Sequence, residues 1–342
     1  MCADRVNNTA MGDPITIRAF REGDEQALLA GYNAVFTKPR SLEHFHWKFR
    51  DNPVGAYHIA VAEHEQHGII GSYTSLPVRV RMEGEDLIAA QGLDMWVLPD
   101  FRRHGVRPGL FVHIGLKMYE IFGGSAPGQA RFHYGWPIPN WRIGQKYLRY
   151  ENIRDWDFLF RTAEAGGFAP RPTSARLQTR VVARVSADVD ALWDRLKDEC
   201  RLAIVRDARY LNWRYADAVD AKYTLVECRE AATGALRGVA VFTKTDFLFP
   251  GAGQIVDWLC PVEDEDAMTS LVAHCERLAS EQACPVLATL FPQMNPRFLK
   301  FQSLGFRVYG TTYFLVVIPF DNRGTLFYRE QWFHTSGDSD LV

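Results

Sequence analysis

The sequence predicts an α/β chain built as two tandem copies of one unit. Strand-like and helix-like periodicities interleave along its length, the same order restarts after residue 176, and aromatic landmarks recur at a nearly constant offset. At 342 residues the chain is long enough for two domains, each with its own core.

The first copy is read over 14–162. Residues 15–20 alternate as a strand, and a helix follows over 22–36. Ser41 suits an N-cap for a helix that turns Leu42, Phe45, His46 and Phe49 to one face. Strands are expected over 57–62 and 69–82, then a hairpin turn at Glu83-Gly84-Glu85 and a return strand over 86–97. Past a loop over 98–105, Val106, Leu110, Ile114 and Met118 form a helical stripe that Gly123 and Gly124 end. A strand over 131–136, a short helix over 140–148 and a strand over 151–160 close the unit.

Residues 163–176 hold Gly166, Gly167, Pro170 and Pro172 and read as a linker. The second copy, 177–320, repeats the order: strand 177–185, helix 188–200, strands near Tyr223, Val239 and Ile255, helix 264–278, a strand near Leu287, a short helix after Asn295, and a last strand from Phe306. Trp47 and Trp213 stand 166 residues apart, as do Tyr57 and Tyr223. Gly71 pairs with Gly238, Asp94 with Asp257, and Pro137 and Asn140 with Pro292 and Asn295. The two tryptophans read as core anchors on amphipathic helices. The tail, 321–342, carries Leu326, Phe327, Tyr328, Trp332 and Phe333, too apolar for a free tail, and is expected to dock on a domain.

Composition narrows the function. Hydrophobic residues make up 47% and charged residues 23%, as in ordinary globular proteins. A net charge of −2 provides no bulk field for nucleic acid or anionic lipid, so neither is an expected partner. The six cysteines form no C-x-x-C pair, and His44 and His46 are two apart and share no helix face, so no metal site is expected. Neither a signal-peptide pattern nor a spanning apolar run is visible. The expectation is a soluble cytoplasmic protein in a reducing compartment.

The chemistry is expected in Val97-Leu98-Pro99-Asp100-Phe101-Arg102-Arg103-His104-Gly105-Val106-Arg107. There a strand ends, a short loop turns and a helix begins. Amides at a helix start lack internal partners, and the helix dipole favours anions there. Gly105 allows close backbone approach, and Arg102, Arg103 and Arg107 add positive charge, a combination suited to a pyrophosphate. His104 lies in the same loop, either on phosphate or exposed.

This segment resembles the V-x-P-x-x-R/Q-x-x-G-x-G/A signature of the GNAT acyltransferase superfamily at Val97, Pro99, Arg102 and Gly105. Arg107 stands in place of the usual small residue, and Pro108 follows it. Tyr134-Gly135-Trp136-Pro137-Ile138-Pro139-Asn140, Leu148-Arg149-Tyr150, Trp47-Lys48-Phe49-Arg50-Asp51-Asn52-Pro53, Trp213-Arg214-Tyr215 and Leu304-Gly305-Phe306 look like a tandem subgroup of that superfamily. The resemblance implies two α+β GNAT-like domains, each a mixed, mostly antiparallel central sheet flanked by helices. It also implies acetyl-CoA, or another acyl-CoA, as donor, and a small-molecule amine as acceptor. It leaves room for a homodimer. The second copy has Val262-Glu263-Asp264-Glu265-Asp266 where the loop should be, and four acidic side chains there would repel a pyrophosphate.

By the same resemblance, a backbone N–H at Val97 or its neighbours holds the acyl carbonyl and stabilises the oxyanion formed when the amine attacks. Asp94, three residues before Val97, is the candidate base that deprotonates the amine; the alternative is a carboxylate paired with an arginine. Tyr147 is the candidate acid for the departing thiolate, with Tyr134 as second choice; a packed aromatic is the alternative. Asn140 is expected to orient the donor's amide arm or to cap its own helix. Two other functions stay open: a Fem-type aminoacyl-transferase and a non-catalytic acyl-CoA-binding or structural module.

Gly105→Trp is expected to abolish CoA binding, read by calorimetry, while the circular dichroism spectrum is retained. Undiminished affinity refutes the loop assignment.

Overall fold

The computed structural model describes residues 4–6 (backbone), 15–102, 107–136 and 141–342. The chain begins with strands β1 (Asp4–Val6) and β2 (Ile15–Ala19) and helix α1 (Glu25–Val35). Ser41 caps helix α2 (Leu42–Phe45), its Oγ accepting from the His44 amide at 3.1 Å. The backbone then widens into a π-type turn, His46–Arg50, closed by the Asp51 amide donating to the His46 carbonyl at 2.9 Å. Strands β3 (His58–His64), β4 (Gly68–Met82) and β5 (Glu85–Val97) follow. After them come helix α3 (Leu110–Phe122), strand β6 (Phe132–Gly135), helix α4 (Trp141–Tyr147) and strand β7 (Glu151–Thr162).

The second copy repeats this sequence of elements. Strand β8 (Leu177–Val182), helix α5 (Asp188–Leu196) and a short strand β9 (Leu202–Ile204) come first. Asp207 caps helix α6 (Ala208–Leu211), accepting from the Tyr210 amide at 2.8 Å. A second π-type turn, Asn212–Ala216, is closed by the Asp217 amide on the Asn212 carbonyl at 2.9 Å. Strands β10 (Thr224–Glu230), β11 (Leu236–Thr245) and β12 (Ala252–Leu259), helix α7 (Glu265–Glu281), strand β13 (Val286–Leu290), helix α8 (Pro296–Ser303) and strand β14 (Arg307–Pro319) complete the series. Helix α9 (Thr325–Gln331) and strand β15 (Trp332–Phe333) belong to the tail. A capped short helix followed by a π-type turn at both places is a structural signature of the duplication.

The compact units do not follow the sequence boundaries. One unit holds residues 1–79, 87–154 and 314–326; the other holds 80–86, 155–313 and 327–342. In the first, the strand order is β1-β2-β3-β4-β5-β6-β14. Its β5 and β6 run parallel through Ala90↔His133 and Gln91↔Tyr134, and β6 pairs antiparallel with the end of β14 through Val316↔Gly135 to Pro319↔Phe132. In the second, the order is β7-β13-β12-β11-β10-β8, with β12 and β13 parallel and β13 antiparallel to the end of β7 through Val286↔Thr162 to Leu290↔Phe158. Each sheet is therefore closed by a strand from the other repeat. Periodicity identifies a strand but not its partner, so the boundary expected near residue 162 is displaced.

Two further expectations change. The segment read as a linker is docked inside the second unit: the Phe168 amide donates to Ser280 Oγ at 3.0 Å, and Arg171 Nε reaches Glu276 Oε2 at 2.7 Å. Helix α3 starts at Leu110, not Val106, with Gly109 as its N-cap. Pro108 has no N–H and disfavours helical torsions at Arg107, so the stripe becomes helical only beyond it. Leu110, Ile114 and Met118 then bury against Ile15, Ile17, Ala60 and Ile70 in the first unit's core. The tail docks as expected: Trp332 and Phe333 pair parallel with Leu202 and Ala203, and both are buried.

Close packing of α1 on β5 yields a stability prediction. A Cβ on Gly31 would lie 1.9 Å from the end of the Trp96 ring, and Trp96 is buried. Gly31→Ala should lower stability by about 1–3 kcal/mol through overpacking, despite its better helix propensity, as read by urea denaturation.

Candidate active site

The first unit's site is built where β5 and β6 part. Their parallel register runs through Gln91↔Tyr134, and Gly92 and Gly135 face each other just beyond it, a Cβ on Gly135 falling 3.0 Å from the Gly92 carbonyl. Past this point β5 bulges at Asp94, whose φ of +51° is left-handed, a region that aspartate tolerates better than most residues. The bulge turns the Asp94 carboxylate toward α1 and the turn after α2, where Lys48 Nζ donates to Oδ2 at 3.0 Å and Arg40 Nη1 donates to the same oxygen.

All three side chains are largely buried, with exposures of 10% for Asp94, 5% for Lys48 and 19% for Arg40. Burial opposes the charge on Asp94, but the Lys48 and Arg40 cations outweigh it and hold the carboxyl below the usual carboxylate range. A carboxylate stabilised in this way is a weaker proton acceptor than an isolated one. Beside the pair lies a cavity of about 30 Å³ bounded by Leu28, Leu29, Tyr32, Phe49, Thr74 and Trp96, with Arg40 and Asp94 in its wall. Asn52 organises the chain behind it, donating to the Phe49 carbonyl at 2.7 Å and accepting from the Val54 and Gly55 amides.

The loop candidates divide. Arg103, His104, Gly105, Val106 and Asn140 lie outside the described residues. Val97 is buried at the strand end, and Arg102 Nε donates to its carbonyl at 2.9 Å, tying loop to strand. The Leu98 amide donates to the Ile70 carbonyl at 2.9 Å, so Leu98 drops out as an oxyanion donor and Val97 remains. Arg107 is exposed just ahead of α3. A parted strand pair, two flanking arginines at 102 and 107 and a helix starting at Leu110 together fit a phosphate-bearing, extended donor.

Tyr147 ends α4, 40% exposed, with Lys146 Nζ 5.0 Å from its ring centre. Tyr134 is buried with its ring edge-on to Trp136. Asp94 stands on β5, Tyr134 on β6 and Tyr147 on α4, so the acid and base candidates come from separate elements.

Sequence reasoning missed two groups here. Tyr73, Tyr119 and Tyr150 meet through their hydroxyls, 2.8 Å and 2.7 Å from Tyr73, and lock β4, α3 and the residue before β7 together. Burial pushes the Tyr150 phenol up to about 12 and raises the other two. His133 on β6 is fully enclosed, edge-on to Tyr119 and Phe320, and burial pushes it down to about 3. No spacing in the chain links these residues. In the second unit the start of α7 is closed by its own Asp264, which accepts from the Ala267 amide at 3.1 Å and pairs with Arg237 Nη2 at 2.7 Å.

Solved structures share this architecture. A probable N-acyltransferase from Enterococcus faecalis V583 matches with a TM-score of 0.65 at 11% identity, covering 89% of this chain and 72% of that one. The GCN5-related N-acetyltransferase from Kribbella flavida matches with 0.60 at 12% identity, over 89% and 71%. The Saccharomyces cerevisiae N-myristoyltransferase with bound myristoyl-CoA matches with 0.53 at 11% identity, over 89% and 82%. The fold is the tandem GNAT fold. No family model matches the chain, and no curated protein matches it. Among the described residues, no helix is long and apolar enough to cross a membrane.

The left-handed turn of β5 at Asp94 predicts a pH signature. Because its folded pKa is depressed, Asp94 contributes stability above the unfolded value and loses it as pH falls through the folded one. Asp94→Asn keeps the shape and leaves Arg40 and Lys48 without that charge. It should cost about 3 kcal/mol at pH 7. The gap to wild type should hold down to about pH 4 and close below it, in urea titrations at a series of pH values.

Proposed function

We propose that the protein is a CoA-dependent acyltransferase that moves an acetyl or similar acyl group to a small-molecule amine. The observation that carries this reading is the parting of β5 from β6 beyond Gln91 and Tyr134, directly before the arginine-flanked loop and α3, on a tandem GNAT fold.

In this reading the donor lies between the parted strands, with its pyrophosphate at loop 102–107, and supplies a thioester carbon. Arg102 and Arg107 neutralise phosphate charge, and Arg103, His104, Gly105 and Val106 contribute the loop backbone. The Val97 N–H polarises the acyl carbonyl. Asn140 orients the donor's amide arm.

The lowered pKa of Asp94 shifts its role from the base first expected. Here Asp94 holds the bulge and sets the direction of Val97, and the amine's proton leaves through water. Tyr147, at the open end of α4, protonates the departing thiolate. The second unit, whose α7 start is closed by Asp264, carries no donor.

A thiol-release assay with acetyl-CoA and longer acyl-CoAs against a panel of amines tests the reading. Turnover is the expected outcome, and CoA binding without thiol release overturns it in favour of a non-catalytic module. Tyr147→Phe should lower kcat about a hundredfold with KM little changed; an unaltered kcat removes Tyr147 from the mechanism.

A further inference from the structure

The alternation of a strand puts residues three apart on opposite faces. Gly92 and Met95 break that rule. The left-handed turn at Asp94 brings the Met95 thioether back over Gly92, where a Cβ on Gly92 would fall 2.6 Å from the Met95 Cε. Gly92 is the first residue of β5 beyond the last parallel pair, Gln91 and Tyr134, and Gly135 faces it from β6. Neither position projects a side chain. The deep end of the parting is thus covered from β5 by Met95, which is half-buried and packs on the first unit's core.

The second unit provides the contrast. Its β12 and β13 run parallel through Gly253↔Leu287 and Gln254↔Ala288, as β5 and β6 do through Ala90↔His133 and Gln91↔Tyr134. The next residues are Ile255 and Thr289, in place of Gly92 and Gly135, and there the two strands still pair. Both side chains are buried, and Thr289 Oγ1 donates to the Ile255 carbonyl at 3.1 Å. By register this carbonyl matches the Gly92 carbonyl, which a Cβ on Gly135 would approach to 3.0 Å. Trp258 shares with Met95 the offset that joins Asp257 to Asp94, and it is buried edge-on to Phe301. The copy without the basic loop therefore carries isoleucine, threonine and tryptophan at these positions. The copy with the loop keeps two glycines and one unbranched, adaptable side chain.

Along β5, Val97 lies between the loop and the Gly92 end of the parting. A donor that enters from the loop and offers its carbonyl to Val97 directs its acyl chain inward, toward Gly92 and Gly135. A chain that continues in that direction meets the Met95 thioether, and behind it a core with no slack to yield.

We propose that Met95 sets acyl length in this protein: its thioether closes the deep end of the donor cleft and restricts the donor to short-chain acyl-CoAs such as acetyl-CoA. This role rests on the acyltransferase reading, in which the donor lies between the parted strands.

Calorimetric titration of the full chain with CoA, acetyl-CoA, butyryl-CoA, hexanoyl-CoA and octanoyl-CoA tests it. In the wild type, affinity should fall steeply between acetyl-CoA and hexanoyl-CoA. Met95→Ala removes Cγ, Sδ and Cε, room for roughly three methylenes, each worth about fourfold in affinity when buried. Hexanoyl-CoA should then gain about tenfold or more, while free CoA is little changed. Met95→Leu, of similar volume, should keep the wild-type order of chain lengths. Where Met95→Ala does not fold, Met95→Val is read in the same way. A wild type that binds octanoyl-CoA as tightly as acetyl-CoA overturns the proposal, as does an order of chain lengths unmoved by Met95→Ala or a gain shared equally by free CoA. Binding of none of the five compounds overturns the donor reading together with it. A shifted order without thiol release leaves the role of Met95 standing and rejects acyl transfer alone.

Discussion

A buried arginine–aspartate pair fixes each repeat at the point where its parallel strands part. On one side is a strand end, which in the first repeat is left-handed at Asp94 and unfavourable unless something holds it; on the other is a short capped helix running into a π-type turn. The pair joins the two and so sets the direction of the strand end. In the first unit Lys48 supplies the second donor to the carboxylate. In the second, Tyr215 supplies it, its hydroxyl 2.7 Å from Asp257 Oδ2. The chemistry of the second donor differs between the copies, and the arginine–aspartate pair stays, through Nη1 of Arg40 in one and Nε of Arg206 in the other.

Around that shared pair the two repeats differ. Burial, first, and the nearby Asp257 raise Asp338 to about 6 although Arg206 opposes the rise. The second unit thus encloses its carboxylate beneath the tail and closes its α7 with Asp264. The first unit keeps the cavity beside Arg40 and the loop ahead of α3. The sequence motif, which only the first copy carries, is the basis for proposing that the donor chemistry belongs there.

Much of this was legible in the chain. The recurrence of Trp47 and Trp213 and of Asp94 and Asp257 located the two copies, because core anchors and a bulge residue are tied to fixed places in a fold. Ser41 marked its helix start because a side-chain oxygen there meets an otherwise unpaired amide. The aromatic tail announced its docking. What stayed hidden depends on contacts distant in sequence. Nothing near Asp94 names Arg40, 54 positions earlier, as its partner. Tyr73, Tyr119 and Tyr150 meet only once three elements are packed. Pro170 and Pro172 suggested a linker, but Arg171 between them is drawn onto Glu276. Val106 shares the apolar spacing of Leu110, but Pro108 stands between them and the helix begins only after it.

The exchange of closing strands makes the tandem copies interdependent during synthesis. When a ribosome has released the first repeat, the free side of β6 still lacks Val316–Pro319, which emerge some 180 residues later. Until then an apolar strand edge is bare, the kind of surface that chaperones cover and that seeds aggregates. Gene truncation between the repeats would make that transient condition permanent, so the two halves are inherited as one unit of folding even though their chemistry has diverged.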